Sequence, residues 1–359
     1  MFWIILIVLI ILYFSNKGIP SVLYHQVNDL SSVNENLFES HIKYLSENSY
    51  KGITISDYVN KDYNKHEKNI MITFDDGYYD NYKIVFPILK KYNMKATIFL
   101  NTMYLEDKER VEQTEILNNR EANYEAMKKY IEVGDGKTWQ YMTWAEIKEM
   151  YESGLVDFQA HTHKHSPVIS DINSYEIIEK AEKDSSNLYI LGRESKIGDI
   201  IFRKRGETSI KGFIVKREFY DEFNKFYLEN KDKTDRDKLV KEFINENKEK
   251  FIKEEKEEEA IERIKKDVIE NKELIEKNLG NRVIAFCWPW GHRSKFGEEI
   301  LENIGYKSFV TTKKGTNSIW GNPLKIRRIE LRKFTLNKFI LNIKINRNLI
   351  LGRIYELIS

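Results

Sequence analysis

The sequence predicts an α/β fold: a (β/α) barrel, distorted or incomplete, with an inserted mainly helical segment and a hydrophobic N-terminal helix. Three observations predict it. Short apolar runs alternate with segments whose apolar residues recur at helical spacing. Chemically distinctive residues stand at the ends of several different runs, which is how barrels build sites. No Gly-x-Gly-x-x-Gly follows a strand and no phosphate loop is present, which argues against a nucleotide-binding sheet.

Taken in order, Ser21–Tyr24 reads as a first strand ending at His25, and Leu37–Ser46 as a helix carrying Phe38, Ile42 and Leu45 on one face. Gly52–Ile55 is a brief strand. Ile70–Phe74 is an apolar strand that ends in Asp75, Asp76 and Gly77. Tyr82, Val85, Phe86 and Leu89 mark the next helix, and Pro87 places its regular part near that residue. Ala96–Leu100 is a strand. Residues 101–140 form a connection too long for an ordinary loop, with a helix around Asn118–Ile131. Thr143-Trp144-Ala145-Glu146 is a capping box opening a helix that ends near Gly154. Leu155–Ala160 is a strand running into His161-Thr162-His163-Lys164-His165.

From about 171 to 256 the alternation breaks. This segment starts as a helix, places strands at Ile200–Phe202 and Phe213–Val215, and continues with helices at Arg217–Leu228 and Lys238–Ile252. It reads as an insertion, a small helical cap over the site. Alternation resumes with a helix ending at Gly280, a strand at Val283–Cys287 running into Trp288-Pro289-Trp290-Gly291, a helix at Phe296–Ile304, and strands at Lys307–Thr311 and Lys325–Leu331. The tail, 336–359, reads as helix.

With 58 basic and 56 acidic residues the net charge is +2, which gives no argument for nucleic-acid binding. A single cysteine, Cys287, excludes an intrachain disulfide and a multi-cysteine zinc site. Phe2–Phe14 is unbroken apolar and aromatic sequence; as a helix it would reach ~20 Å, short of a ~30 Å hydrocarbon core. Residues 1–18 are therefore expected to be a membrane anchor or export signal, with the domain that follows outside the cytoplasm.

Adjacent acids repel, so a buried Asp75-Asp76 pair calls for a cation or a proton between them. His161 and His165, four apart beyond a strand, can point both imidazoles one way. His163 between them points away. Two histidines and one carboxylate of the pair make a metal set with open coordination positions.

These residues carry a resemblance. Thr73-Phe74-Asp75-Asp76-Gly77 and His161-Thr162-His163-Lys164-His165 resemble, in that order, the first two motifs of the polysaccharide deacetylase family, also called the NodB-homology or carbohydrate esterase 4 family. Trp288-Pro289-Trp290-Gly291 and Tyr24-His25-Gln26-Val27 are similar to segments of its poly-N-acetylglucosamine deacetylase branch. The likeness runs from about 20 to 335, so 19–335 is expected to be one deacetylase domain broken by the insertion. It implies a metal-dependent hydrolase that removes acetyl groups from N-acetylated sugars of a cell-surface polysaccharide. Asp76, His161 and His165 would hold a divalent metal, most often Zn2+. Asp75 would be the general base. The backbone N–H of Trp290 would face the oxyanion, and its ring would stack on sugar. The family's late Leu-x-His motif falls on Ile326-Arg327-Arg328-Ile329, without histidine, and the arginine usual before the Pro-Tyr motif is missing. The resemblance to the branch then nominates His25 as general acid, with His292 as rival. The absent late histidine leaves a second expectation, a carbohydrate-binding protein without catalysis on the same fold.

Overall fold

The computed structural model describes residues 17–110, 114–180, 182–332 and 335–358. Its centre is a parallel sheet. From edge to edge the strands are Ser308–Val310, Ala285–Cys287, Val156–Thr162, Ala96–Asn101, Lys68–Asp76, Ser21–Tyr24 and Ile329–Glu330, with Tyr50–Ile53 paired beside the start of Lys68–Asp76. The sheet curls, and its two edges are linked where Val310 bridges Ile326. This is the expected mixed α/β architecture with a barrel-like parallel wall.

The central strands turn an apolar face outward under the helices, whereas the other face mixes apolar residues with buried polar ones such as Thr73, Asp75, Gln159 and His161. On Lys68–Asp76 the even residues Ile70, Ile72 and Phe74 pack outward against helices such as Glu35–Glu47 and Phe86–Tyr92. Met71 packs inward with Phe99, Cys287, Val310 and Ile326. Asp75 shares that inner side by alternation. The helices start and stop where local chemistry dictates. Thr143 and Glu146 cap Trp144–Glu152 reciprocally, and Gly280 closes the long helix Glu257–Leu279 with φ of 68°. The helix at Pro87 begins regularly at Phe86, after a wider π-turn over Asn81–Val85.

The insertion differs from a helical cap. It does carry helices, at Ser185–Leu191, Arg217–Asn230 and Arg236–Phe251. They cover a four-stranded antiparallel sheet in the order Ile252–Glu254, Phe213–Val215, Pro167–Ile177, Ile200–Gly206. Its start, expected as helix, is therefore strand. The cause is legible in the pairing: the register slips between Ile169 and Asp171 and again between Asp171 and Tyr175. Such bulges break strict alternation, so Ile169, Ile172 and Tyr175 fall at a spacing of three that imitates a helix. The lobe has its own core around Phe202, Phe219, Phe223 and Phe251.

The apolar run Phe2–Phe14 lies outside the described residues. Among the described residues no helix is long and apolar enough to cross a membrane. The tail forms two helices, Leu336–Arg347 and Leu349–Ile358.

Candidate active site

The strand ends converge as a barrel requires. Asp76 is aligned with Leu100, and Leu100 with Ala160. At the next step Asn101 pairs with Thr162, which leaves His161 as an unpaired, bulged residue. A bulge re-aims one side chain, and here it turns the His161 imidazole to Asp76. Asp76 itself adopts φ of 78° and Gly77 of 83°, which ends the strand and swings the carboxylate off the outward face. His165 (φ of 52°) is turned back in the same way, its amide donating to the Thr162 hydroxyl at 2.9 Å.

The result is a three-residue cluster. His161 Nε2 lies 3.5 Å and His165 Nε2 3.8 Å from Asp76 Oδ1. One ligand atom from each residue falls within 4.8 Å of the others. His161 Nδ1 donates to the Cys287 carbonyl at 2.7 Å, which leaves the Nε2 lone pair free toward the cluster. Asn101 donates to Asp76 Oδ1 at 2.9 Å. Burial pushes both imidazoles down to about 4, so each is neutral at pH 7, the form that ligates. These donors fit a divalent cation of zinc's preference. His163 points elsewhere, its ring between Thr102 Oγ1 (2.9 Å) and Glu270 (3.4 Å).

Asp75 does not join that cluster. It is gripped by Arg328, Nη1 to Oδ1 at 2.6 Å and Nη2 to Oδ2 at 2.8 Å, with both side chains buried. Burial alone would raise the Asp75 carboxyl, but the guanidinium overrides it and holds the group well below the usual carboxylate range. The arginine is fixed in turn by Thr73 Oγ1 (3.2 Å), the Thr311 carbonyl (3.0 Å) and Cys287 Sγ (3.0 Å). The two neighbouring acids thus have separate partners: a buried cation for one, two neutral imidazoles for the other.

Residues 62–196 match the family model described as polysaccharide deacetylase. The chain carries a polysaccharide deacetylase domain. A poly-beta-1,6-N-acetyl-D-glucosamine N-deacetylase of Staphylococcus aureus is 29% identical over 134 residues, 37% of each chain. Bacillus subtilis YxkH is 42% identical over 87 residues, 23% of this chain and 31% of that protein. The matches span about a third of these relatives' own length. Two solved structures share the fold. A de-N-acetylase from Aggregatibacter actinomycetemcomitans superposes with a TM-score of 0.59 at 19% identity, over 91% of this chain and 99% of that one. IcaB from Ammonifex degensii gives 0.54 at 15% identity, over 91% and 97%.

The other residues predicted for the site gather round the same mouth. His25 is half-buried and close enough to act electrostatically on both Asp75 and His165. It lines a cleft of about 280 Å³ with Tyr24, Gln26, Asn119 and Glu330. His292 also bears on His165, but its Nδ1 accepts the Gly206 amide at 3.0 Å. Trp290 is 42% exposed, its ring 4.3 Å from that of His165, while Trp288 is buried. Arg328 is the functional residue that sequence reasoning misses. A partial signal exists: a buried carboxylate needs a cation, and Arg328 stands just before the late strand Ile329–Glu330, though next to an equivalent Arg327.

Proposed function

We propose that this chain is a metal-dependent deacetylase that hydrolyses the N-acetyl groups of a cell-surface polysaccharide, poly-N-acetylglucosamine or a polymer like it. The observation that carries the reading is the convergence of Asp76, His161 and His165 within 4.8 Å, with Asp75 held by Arg328 beside them and itself within 4.8 Å of His161. A divalent cation, most often zinc in such sets, polarises a carbonyl and acidifies water when bound. Asp75 is the base: Arg328 keeps it ionised and oriented, and it takes the proton of the water that adds to the acetamide carbon. The C–N bond then breaks, and the amine leaves with a proton that His25 supplies. His25 is preferred to His292 because it bears on Asp75 and because the His292 Nδ1 is engaged by Gly206. Trp290 offers an exposed face for a sugar ring beside the cluster. The name of the Staphylococcus aureus relative and the likeness of the Tyr24-His25 segment support the polymer class. The apolar N-terminal run supports action outside the cytoplasm, where such polymers lie.

Carbohydrate binding without catalysis is the second reading. Against it, Asp75 retains a buried, bidentate arginine partner that sugar binding alone does not need. The experiment is acetate release from a panel of acetylated glycans, with and without chelator. The expected outcome is release that chelation abolishes and zinc restores, and a fall of about 10²-fold or more in His25→Ala with metal retained. Metal-independent release, or none from any glycan, would overturn the reading.

A further inference from the structure

The C-terminal helix Leu349–Ile358 is amphipathic in the inverse sense. Of its two charged residues Glu356 faces the domain, paired with Arg327 at 2.6 Å and Lys313 at 3.7 Å with its side chain only 11% exposed, while Arg353 is 66% exposed beside it. Gly352 lies against Thr316, where a Cβ would come within 2.7 Å of Thr316 Cβ. The opposite face is apolar and bare. Ile350, Leu351, Ile354 and Leu357 are 51%, 49%, 49% and 85% exposed, and Leu341 on the preceding helix 57%. Surface helices normally bury such a stripe.

Two further facts say what covers it. Charge is one: between 336 and 358 stand four basic residues, Lys338, Lys344, Arg347 and Arg353, against Glu356 as the one acid. Position is the other. Arg347 Nη1 donates to the Gly18 carbonyl at 2.8 Å, and a Cβ on Gly18 would meet the Asn346 carbonyl at 2.3 Å. Gly18, four residues after the end of the apolar run Phe2–Phe14 in the sequence, thus sits against these helices. Gly18 also pairs with Ser318, two residues before Trp320, which is 61% exposed. An exposed tryptophan, an apolar stripe and basic neighbours are the features of a surface that lies in a lipid interface. Gly18 precedes the first parallel strand, so this pole is opposite the strand ends that carry Asp75, Asp76 and His161.

We propose that the outward face of Leu349–Ile358 seats on an anionic lipid surface, with the catalytic mouth turned away from the bilayer. The proposal rests on this surface alone and not on the chemistry of the site. The test uses the full chain. Its own cysteine, Cys287, is buried and does not compete for a label. Ile354→Cys and Leu357→Cys, with Leu30→Cys near the mouth as control, carry an environment-sensitive fluorophore. On vesicles of phosphatidylcholine and phosphatidylglycerol, the labels at 354 and 357 should shift to the blue and be quenched several-fold by nitroxide-bearing acyl chains, and the label at 30 should not. Unquenched labels at 354 and 357 on vesicle-bound protein would overturn the proposal. So would labels already shielded without vesicles, which would mean cover by the chain itself or by a second copy, or a failure of the protein to associate with the vesicles.

Discussion

The mouth of the barrel and the lobe between Pro167 and Glu254 rest on different forces. The mouth is held by buried charge and by backbone turned to positive φ: Asp75 on Arg328, Asp76 facing two imidazoles, His165 and Trp290 in left-handed conformations. The lobe is held chiefly by packed aromatics, with the Phe219 ring 5.8 Å from Phe202, 6.1 Å from Phe223 and 5.9 Å from Phe243, and with Asp199 buried against Arg193. Apolar packing tolerates exchange of similar volumes, whereas a buried ion pair fails when one partner goes. The two regions meet, among other places, at the Gly206 amide on His292 and the Gly206 backbone under Trp290. The difference teaches that the mouth depends on individual charged partners and the lobe on packed volume.

The largest expected effect tests the mouth. Asp75→Asn removes the proposed proton acceptor and spares Asp76, His161 and His165. Turnover should fall ~10²–10⁴-fold while metal content is kept. Full activity with metal bound would take the base role away from Asp75. Next comes Arg328→Gln. It strands a buried carboxylate and should cost ~3–5 kcal/mol of stability in chemical denaturation. Arg328→Lys should recover part of this, because it keeps the charge and loses the bidentate fork. A stable Arg328→Gln protein would show that the pair contributes nothing to holding the mouth. Phe219→Ala crosses to the lobe. Removal of the ring from a full aromatic core should cost ~3–5 kcal/mol locally. Activity on a short acetylated sugar should survive, and KM for polymer should rise. Equal loss on both substrates would erase the distinction between the regions.

Much of the mouth is legible in the amino-acid sequence. Two acids at a strand end and two histidines four apart each carry a physical demand, and the demands match. What stays hidden depends on contacts far apart along the chain. Arg328 is 253 residues from Asp75, and nothing local distinguishes it from Arg327 next to it. The bulge at His161 arises from pairing between strands, which spacing does not reveal. The start of the lobe reads as helix for the same reason, since two register slips hide the alternation of Pro167–Ile177. The short helix Ile55–Asn60 escapes a search for periodicity although Thr54 and Asp57 form a capping box: only six residues follow, too few to show a period.

The last effect, read as a slope against pH, lies at the joint between the regions. Asp267, on the helix Glu257–Leu279, accepts the amides of His163 (2.8 Å) and Lys164 (3.0 Å), and so braces the loop between the two cluster histidines. Burial, with the carboxyl of Glu207 from the lobe behind it, pushes Asp267 up to about 8. In the unfolded chain the same group titrates near 3.8. Between those values the folded protein keeps a proton that the unfolded chain has lost, so this group's contribution is full below pH ~4 and fades as pH rises toward 8. The slope is at most about 1.4 kcal/mol per pH unit. Asp267→Asn cannot ionise and still offers an oxygen to one of the two amides. Its denaturation midpoint should therefore fall less steeply than that of the parent across this window, with the remaining slope left to groups such as Asp80, raised to about 7 by burial. Parallel pH curves for the two proteins would mean that Asp267 is ionised throughout and that the joint is held by charge, as the mouth is.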